Sequence, residues 1–242
     1  MKKISKRHIF IYFIAILTAF FALFLPSCVI GSGDISTEER VIKDFDSISA
    51  SSGINLFAKE GMEPSITIEA EDNIIPLITT EVKNGHLEIG KKKFIISFVN
   101  KKPINVYIEF TNLNEIEVSS GSSISIDYIE TDKLKINLNS GSKADLNIIA
   151  EEIEIYAGSG SIIDIKGQIK LQEIQLNSGS SYNAEKLESQ ECIIELNSGS
   201  IARVSVRDRI DAEINSGSYL EYLGSPELIL DISSGGNIKK ID

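Results

Sequence analysis

Seven segments of this chain align without a gap through a Ser-Gly pair, which all but the last follow with a third small residue, Ser. They occupy 116–122, 136–142, 155–161, 174–180, 194–200, 212–218 and 230–236. Their glycines, Gly121, Gly141, Gly160, Gly179, Gly199, Gly217 and Gly235, are spaced 20, 19, 19, 20, 18 and 18 residues apart. A period near 19 is too short for paired-helix repeats and too short for a propeller blade. Apolar residues alternate on both sides of each Ser-Gly, as in Ile136 and Leu138, then Ala144 and Leu146, which is the period of a strand. Each unit therefore reads as strand, tight bend, strand and a more variable return. One unit cannot close a core alone, whereas stacked units bury one continuous apolar column. The expected fold is an all-β, right-handed parallel β-helix-like coil with rungs of about 19 residues. Seven rungs at the usual strand spacing make a rod of roughly 29 Å.

The recurring glycines have a backbone reason. A sharp corner between strands favours positive φ, which Gly adopts without a Cβ clash. Asn precedes four of the corners (Asn139, Asn177, Asn197 and Asn215), where stacked amides are expected to bond to one another along the axis.

Ahead of the repeats the pattern loosens. Residues 48–53 (Ile-Ser-Ala-Ser-Ser-Gly) look like an eighth version of the corner, and Asn84-Gly85 between two strand-like runs is a hairpin signal. Residues 43–110 are read as an N-terminal β cap with the first rungs, continuous with the repeat coil at 111–242. Such a cap covers strand edges that an open coil would expose. Residues 28–42 are read as a polar tether.

The first 27 residues read as a signal peptide. Lys2, Lys3, Lys6 and Arg7 precede an uncharged run from Ile9 to Leu25, and then comes Leu25-Pro26-Ser27-Cys28. The pattern resembles a bacterial lipoprotein signal with Cys28 in the lipid-bearing position. Removing 1–27 leaves 20 basic and 35 acidic side chains, a net charge of −15. So acidic a chain argues against nucleic acid and against an electrostatic grip on anionic lipid. With Cys28 acylated, Cys192 has no disulfide partner in the chain, and alternation places it inward with Ile194 and Leu196.

The lipobox, the opening Phe45-Asp46-Ser47-Ile48, the Ser-Gly-Ser corners and Gly53-Ile54-Asn55 together resemble the family described as "putative auto-transporter adhesin, head GIN domain". The resemblance covers about residues 41–236. It implies a β-helical protein of the bacterial cell envelope, here an outer-membrane lipoprotein, and carries no catalytic residues to transfer.

Catalytic chemistry is sparse. The mature chain has one histidine, His86, read as an exposed residue beside a hairpin turn. No clustered His and Cys suggest zinc, and no glycine-rich loop leads a helix. Asp145 and Asp164 fall outward on neighbouring rungs, at a separation that would suit a retaining glycosidase, but no groove, aromatic platform or basic partner is implied around them. Glu195, Glu213 and Asp231 stack outward on the last three rungs; like charges at rung spacing repel, so either solvent and Arg207 or Arg209 screen them or a cation sits there. No cofactor is expected. The chain is read as a non-enzymatic, adhesin-like display or binding module, held to the membrane by its N-terminal lipid, with a protein or glycan partner. The other reading is a β-helical enzyme acting on envelope polysaccharide.

Overall fold

The computed structural model describes residues 27–93 and 95–241. The signal segment before Ser27 and the Cys28 side chain lie outside the described residues. In chain order the strands are β1 (Ser27–Ile30), β2 (Ile35–Arg40), β3 (Ser47–Ala50), β4 (Ile54–Glu60), β5 (Ser65–Glu71), β6 (Ile78–Lys83), β7 (His86–Lys91), β8 (Ile95–Val99) and β9 (Ile104–Phe110). They continue as β10 (Glu115–Val118), β11 (Ser123–Leu138), β12 (Lys143–Ala157), β13 (Ile162–Leu176), β14 (Ser181–Leu196), β15 (Ile201–Ile214), β16 (Tyr219–Leu223), β17 (Glu227–Ile232) and β18 (Asn237–Lys240).

From β10 onward the chain is a parallel β-solenoid. Strands β11 to β15 hold 14 to 16 residues each and run from one Ser-Gly corner to the next. Each pairs in parallel with the following rung, through the return as well as beside the corner. The return is thus paired strand throughout, which the sequence alone did not suggest. Rungs of unequal length stay aligned because the surplus residues are absorbed there, at register shifts such as Ile126/Ile129 and Ala184/Glu188.

Two successive residues, not one, take the left-handed conformation at every corner. The serines Ser120 to Ser234 have φ between 50° and 57°, and the glycines after them have φ between 69° and 81°. A non-glycine residue there is disfavoured by about 1 kcal/mol or more. The offset is a line of hydrogen bonds along the axis: Gly121 N–H donates to Ser140 O, Gly141 to Ser159, Gly160 to Ser178 and Gly179 to Ser198, at 3.0–3.1 Å. The serine after each glycine points inward, and Ser122, Ser142, Ser161, Ser180, Ser200 and Ser218 are all buried.

The core is a set of apolar columns. One runs through Ile48, Ile116, Ile136, Ile155, Ile174 and Ile194 in direct register, all of them buried. Cys192 sits in a neighbouring column and is buried, and burial pushes its thiol pKa far up. Too little thiolate then exists to react. In a Cys28→Ala background, a polar thiol reagent is expected to leave the native protein unlabelled and to modify Cys192 only on unfolding. Rapid native labelling would show that this rung opens readily.

The N-terminal rung, β3–corner–β4, stacks on β10 and β11, and Gly53 N–H donates to Ser120 O at 3.1 Å. Strands β7 and β9 continue outward in parallel; β5 and β6 then pair antiparallel and close the end. Asn84 (φ 52°) and Gly85 (φ 80°) form the two-residue turn between β6 and β7. The cap is therefore an insertion between the first rung and the second.

The expected tether at 28–42 is corrected by the structure. Strand β1 pairs with β8, and β2 pairs along its whole length with β5. Gly31-Ser32-Gly33 wraps the buried carboxylate of Glu71, which accepts from Gly33 N–H at 2.6 Å and Lys101 N–H at 2.9 Å. A Cβ on Gly31 would come within 2.0 Å of Glu71 Oε2, so glycine serves close approach here and not flexibility.

Candidate binding face

The strands that follow the corners carry outward rows in register across the whole molecule. One row runs Thr67, Tyr107, Phe57, Ser125, Asp145, Asp164, Asn183 and Arg203. Phe57 and Tyr107 are stacked, with ring centroids 5.3 Å apart and planes 20° from parallel, and each is 42% exposed. Small side chains, Thr67 and Ser125, flank the pair along the row. A groove of about 390 Å³ opens there, lined also by Ser65, Asp127 and the Lys59–Glu109 ion pair (2.8 Å). Fifty residues separate the two rings, and only the inserted cap brings β9 onto β4. No local spacing could have revealed them.

Beside the aromatic pair lies a polar ladder. Ser123 Oγ donates to Asn55 Oδ1 (3.0 Å), Asn55 Nδ2 to Asn105 Oδ1 (3.2 Å), and Asn105 Nδ2 to Glu69 Oε1 (2.9 Å). Stacked amides thus occur on this face and not at the corners. There, Gly158 interrupts the asparagine column, while Asn197 Nδ2 and Asn215 Nδ2 donate to Glu195 (2.7 Å) and Glu213 (2.8 Å). A carboxylate is a stronger acceptor than a neighbouring amide.

Asp145 and Asp164 are direct register partners beside a cavity of about 210 Å³. Both oxygens of Asp164 are engaged, one 3.3 Å from Lys143 Nζ and the other accepting from Asn183 Nδ2 at 3.2 Å. The sequence implied neither a groove nor a basic partner around this pair, and the structure corrects both, because neighbouring rungs bring the cavity and Lys143 to Asp164. Glu195, Glu213 and Asp231 do stack in register, but the arginines expected to screen them pair elsewhere, Arg207 with Asp208 and Arg209 with Asp211. The corner amides serve Glu195 and Glu213 instead. Among the described residues, carboxylates close enough to share an ion are Glu152, Glu154 and Glu173. Lys133 bonds to the first two, and those bonds hold its ammonium charged.

His86 is half-buried and not exposed. Its Nδ1 lies 3.0 Å from Ser47 Oγ and its Nε2 2.8 Å from Ser49 Oγ. With hydroxyls on both nitrogens, no carboxylate orients the ring as a general base requires.

The model of the family described as "Putative auto-transporter adhesin, head GIN domain" matches residues 44–226. The chain belongs to this family. In this head GIN domain Gly53 is the first corner glycine, Ile54 is buried in the core, and Asn55 anchors the amide ladder. A putative adhesin from Bacteroides fragilis has a similar fold, with a TM-score of 0.81 at 20% identity over 88% of this chain and all of that one. A protein from Parabacteroides distasonis described as a putative lipid binding protein reaches 0.75 at 18% identity, over 89% of this chain and all of that one. A putative adhesin from Parabacteroides merdae reaches 0.70 at 19% identity, over 89% of this chain and 99% of that one. No curated protein matches the chain.

Proposed function

We propose that this protein is an envelope lipoprotein that works by display and contact, holding a glycan on the aromatic face of its N-terminal rungs. The Phe57–Tyr107 pair carries this reading. Half-exposed stacked rings offer apolar faces for the C–H side of a sugar, and Asp127, Ser125, Lys59 and Glu109 surround them with donors and acceptors for its hydroxyls. Membership of an adhesin family supports the binding role. The lipobox supports an anchor at Cys28, because its several acyl chains give stable attachment where one does not.

Two experiments test the two halves. Residues 28–242, passed over immobilised envelope glycans, should be retained, and the Phe57→Ala/Tyr107→Ala double variant should bind at least tenfold more weakly, as expected for an aromatic anchor. Equal retention by the variant removes the glycan face, and turnover lost on changing Asp145 or Asp164 would establish the enzyme reading instead. For the anchor, Cys28→Ala should move the protein from the membrane to the soluble fraction. A variant that stays on the membrane overturns the lipid assignment.

A further inference from the structure

We infer that the C-terminal end of the coil is a self-association surface on which a second copy of this chain docks end to end. The last rung consists of β17, paired with β15, and β18, paired with β16. Nothing among the described residues lies beyond either strand, so one edge of each presents unpaired backbone groups. The core columns also end open. Ile210, Ala212 and Ile214 are at most 2% exposed, whereas their register partners Leu228, Leu230 and Ile232 are 37%, 40% and 41% exposed. An open strand edge with an apolar face invites pairing.

The opposite end is built against this. There Ile74, Ile75 and Ile78 are buried, and the Arg40 guanidinium bonds to the carbonyls of Ile75 (3.0 Å) and Ile78 (2.8 Å). Edge strand β2 is exposed and carries Glu38 and Glu39. Stacking head to tail would set an apolar mouth on a charged roof. Another open C-terminal end, by contrast, offers apolar residues to match.

Charge selects the arrangement. Glu227 and Asp231 point outward from β17 and Lys239 outward from β18, while Lys240 shares the inward face of Ile238 and reaches the Ser225 hydroxyl at 3.1 Å. A twofold axis bisecting the last corner lays each β17 antiparallel on the β18 of the other copy. Glu227 and Asp231 of each copy then meet Lys239 of the other, and the two open cores meet. An axis pairing β17 with β17 would set acid on acid instead. Twofold contact also closes the assembly at two chains.

The test is the protein mass of the full chain in non-ionic detergent, measured by light scattering across concentration. The wild type should reach twice the single-chain mass. Leu230→Glu should remain a single chain with the far-ultraviolet circular dichroism of the wild type, and its melting point should not vary with concentration as that of a dimer does. Glu227→Lys/Asp231→Lys should weaken the dimer by roughly tenfold or more, as should Lys239→Glu. All three reversals in one chain should restore it. A single-chain mass for wild type at every concentration would overturn the inference, as would a dimer that survives Leu230→Glu. Growth beyond two chains, or no rescue by the combined reversal, would equally reject it.

Discussion

Gly167→Ala is expected to destabilise the protein by ~4 kcal/mol, whereas the same change at the corner glycine Gly199 should cost about 1 kcal/mol. Both residues have positive φ, 125° and 74°. At Gly199 nothing lies within 4 Å of an added Cβ, so the cost is the conformational one alone. At Gly167 that atom would fall 1.9 Å from the carbonyl oxygen of Ile148, its register partner on the rung before. Backbone cannot yield as a flexible side chain can, and the pairing between the two rungs must open. Gly224 occupies the same place in its own unit, with an added Cβ 2.1 Å from Val206 O. Thermal melting decides the matter: a midpoint lowered by roughly 10 °C for Gly167→Ala and by a few degrees for Gly199→Ala is the expected pair of values. Equal shifts would mean that the chain relaxes around the return more easily than around the corner.

Gln172→Ala should be comparably damaging. Gln172 interrupts an otherwise apolar column between Ile153 and Cys192 and is fully buried. Its Oε1 accepts from the Tyr182 hydroxyl at 2.9 Å, and its Nε2 donates to Ser189 Oγ at 2.6 Å; that hydroxyl donates on to Ser205 O at 2.9 Å. Burial pushes the Tyr182 phenol pKa well up, so it stays a donor. Truncating Gln172 leaves that hydroxyl without its acceptor and opens a cavity, together ~4 kcal/mol. Tyr182→Phe, which leaves only Oε1 unmet, should cost about 1–2 kcal/mol. The double variant Gln172→Leu/Tyr182→Phe removes both needs at once and should recover most of the loss. Denaturant melts of Gln172→Leu, Tyr182→Phe and the double give the coupling, expected at about 1 kcal/mol or more. Strictly additive losses would show that the chain of bonds does not act as a unit.

What could be read from the sequence was whatever repeats. The Ser-Gly spacing and the alternation around it define the solenoid, the inward face of Cys192, and the register of Asp145 with Asp164 and of Glu195 with Glu213 and Asp231. The Asn84-Gly85 turn was legible because two residues suffice to specify it. What stayed hidden depends on partners far along the chain. Gly31-Ser32-Gly33 has a linker's composition, and only Glu71 gives it a role. Phe57 meets Tyr107 only because the cap folds between them. Arg207 and Arg209 reach the acids one and two residues away in preference to the column across the rung, since a local partner requires less ordering of a long side chain.

The inserted cap also sets an order of assembly. The repeat rungs close over 18 to 20 residues, 18 between Ser200 and Ser218, but the first must span 68, from Ile54 to Ser122. The longer loop costs only about 1 kcal/mol more in closure entropy. Its larger effect is on timing, because contacts distant in sequence form slowly. A chain delivered N-terminus first exposes β3 and β4 long before β10 is there to receive them. The repeats can zip one onto the next as they appear, while the N-terminal edge waits for its floor. The first segment to be made is among the last to find its place.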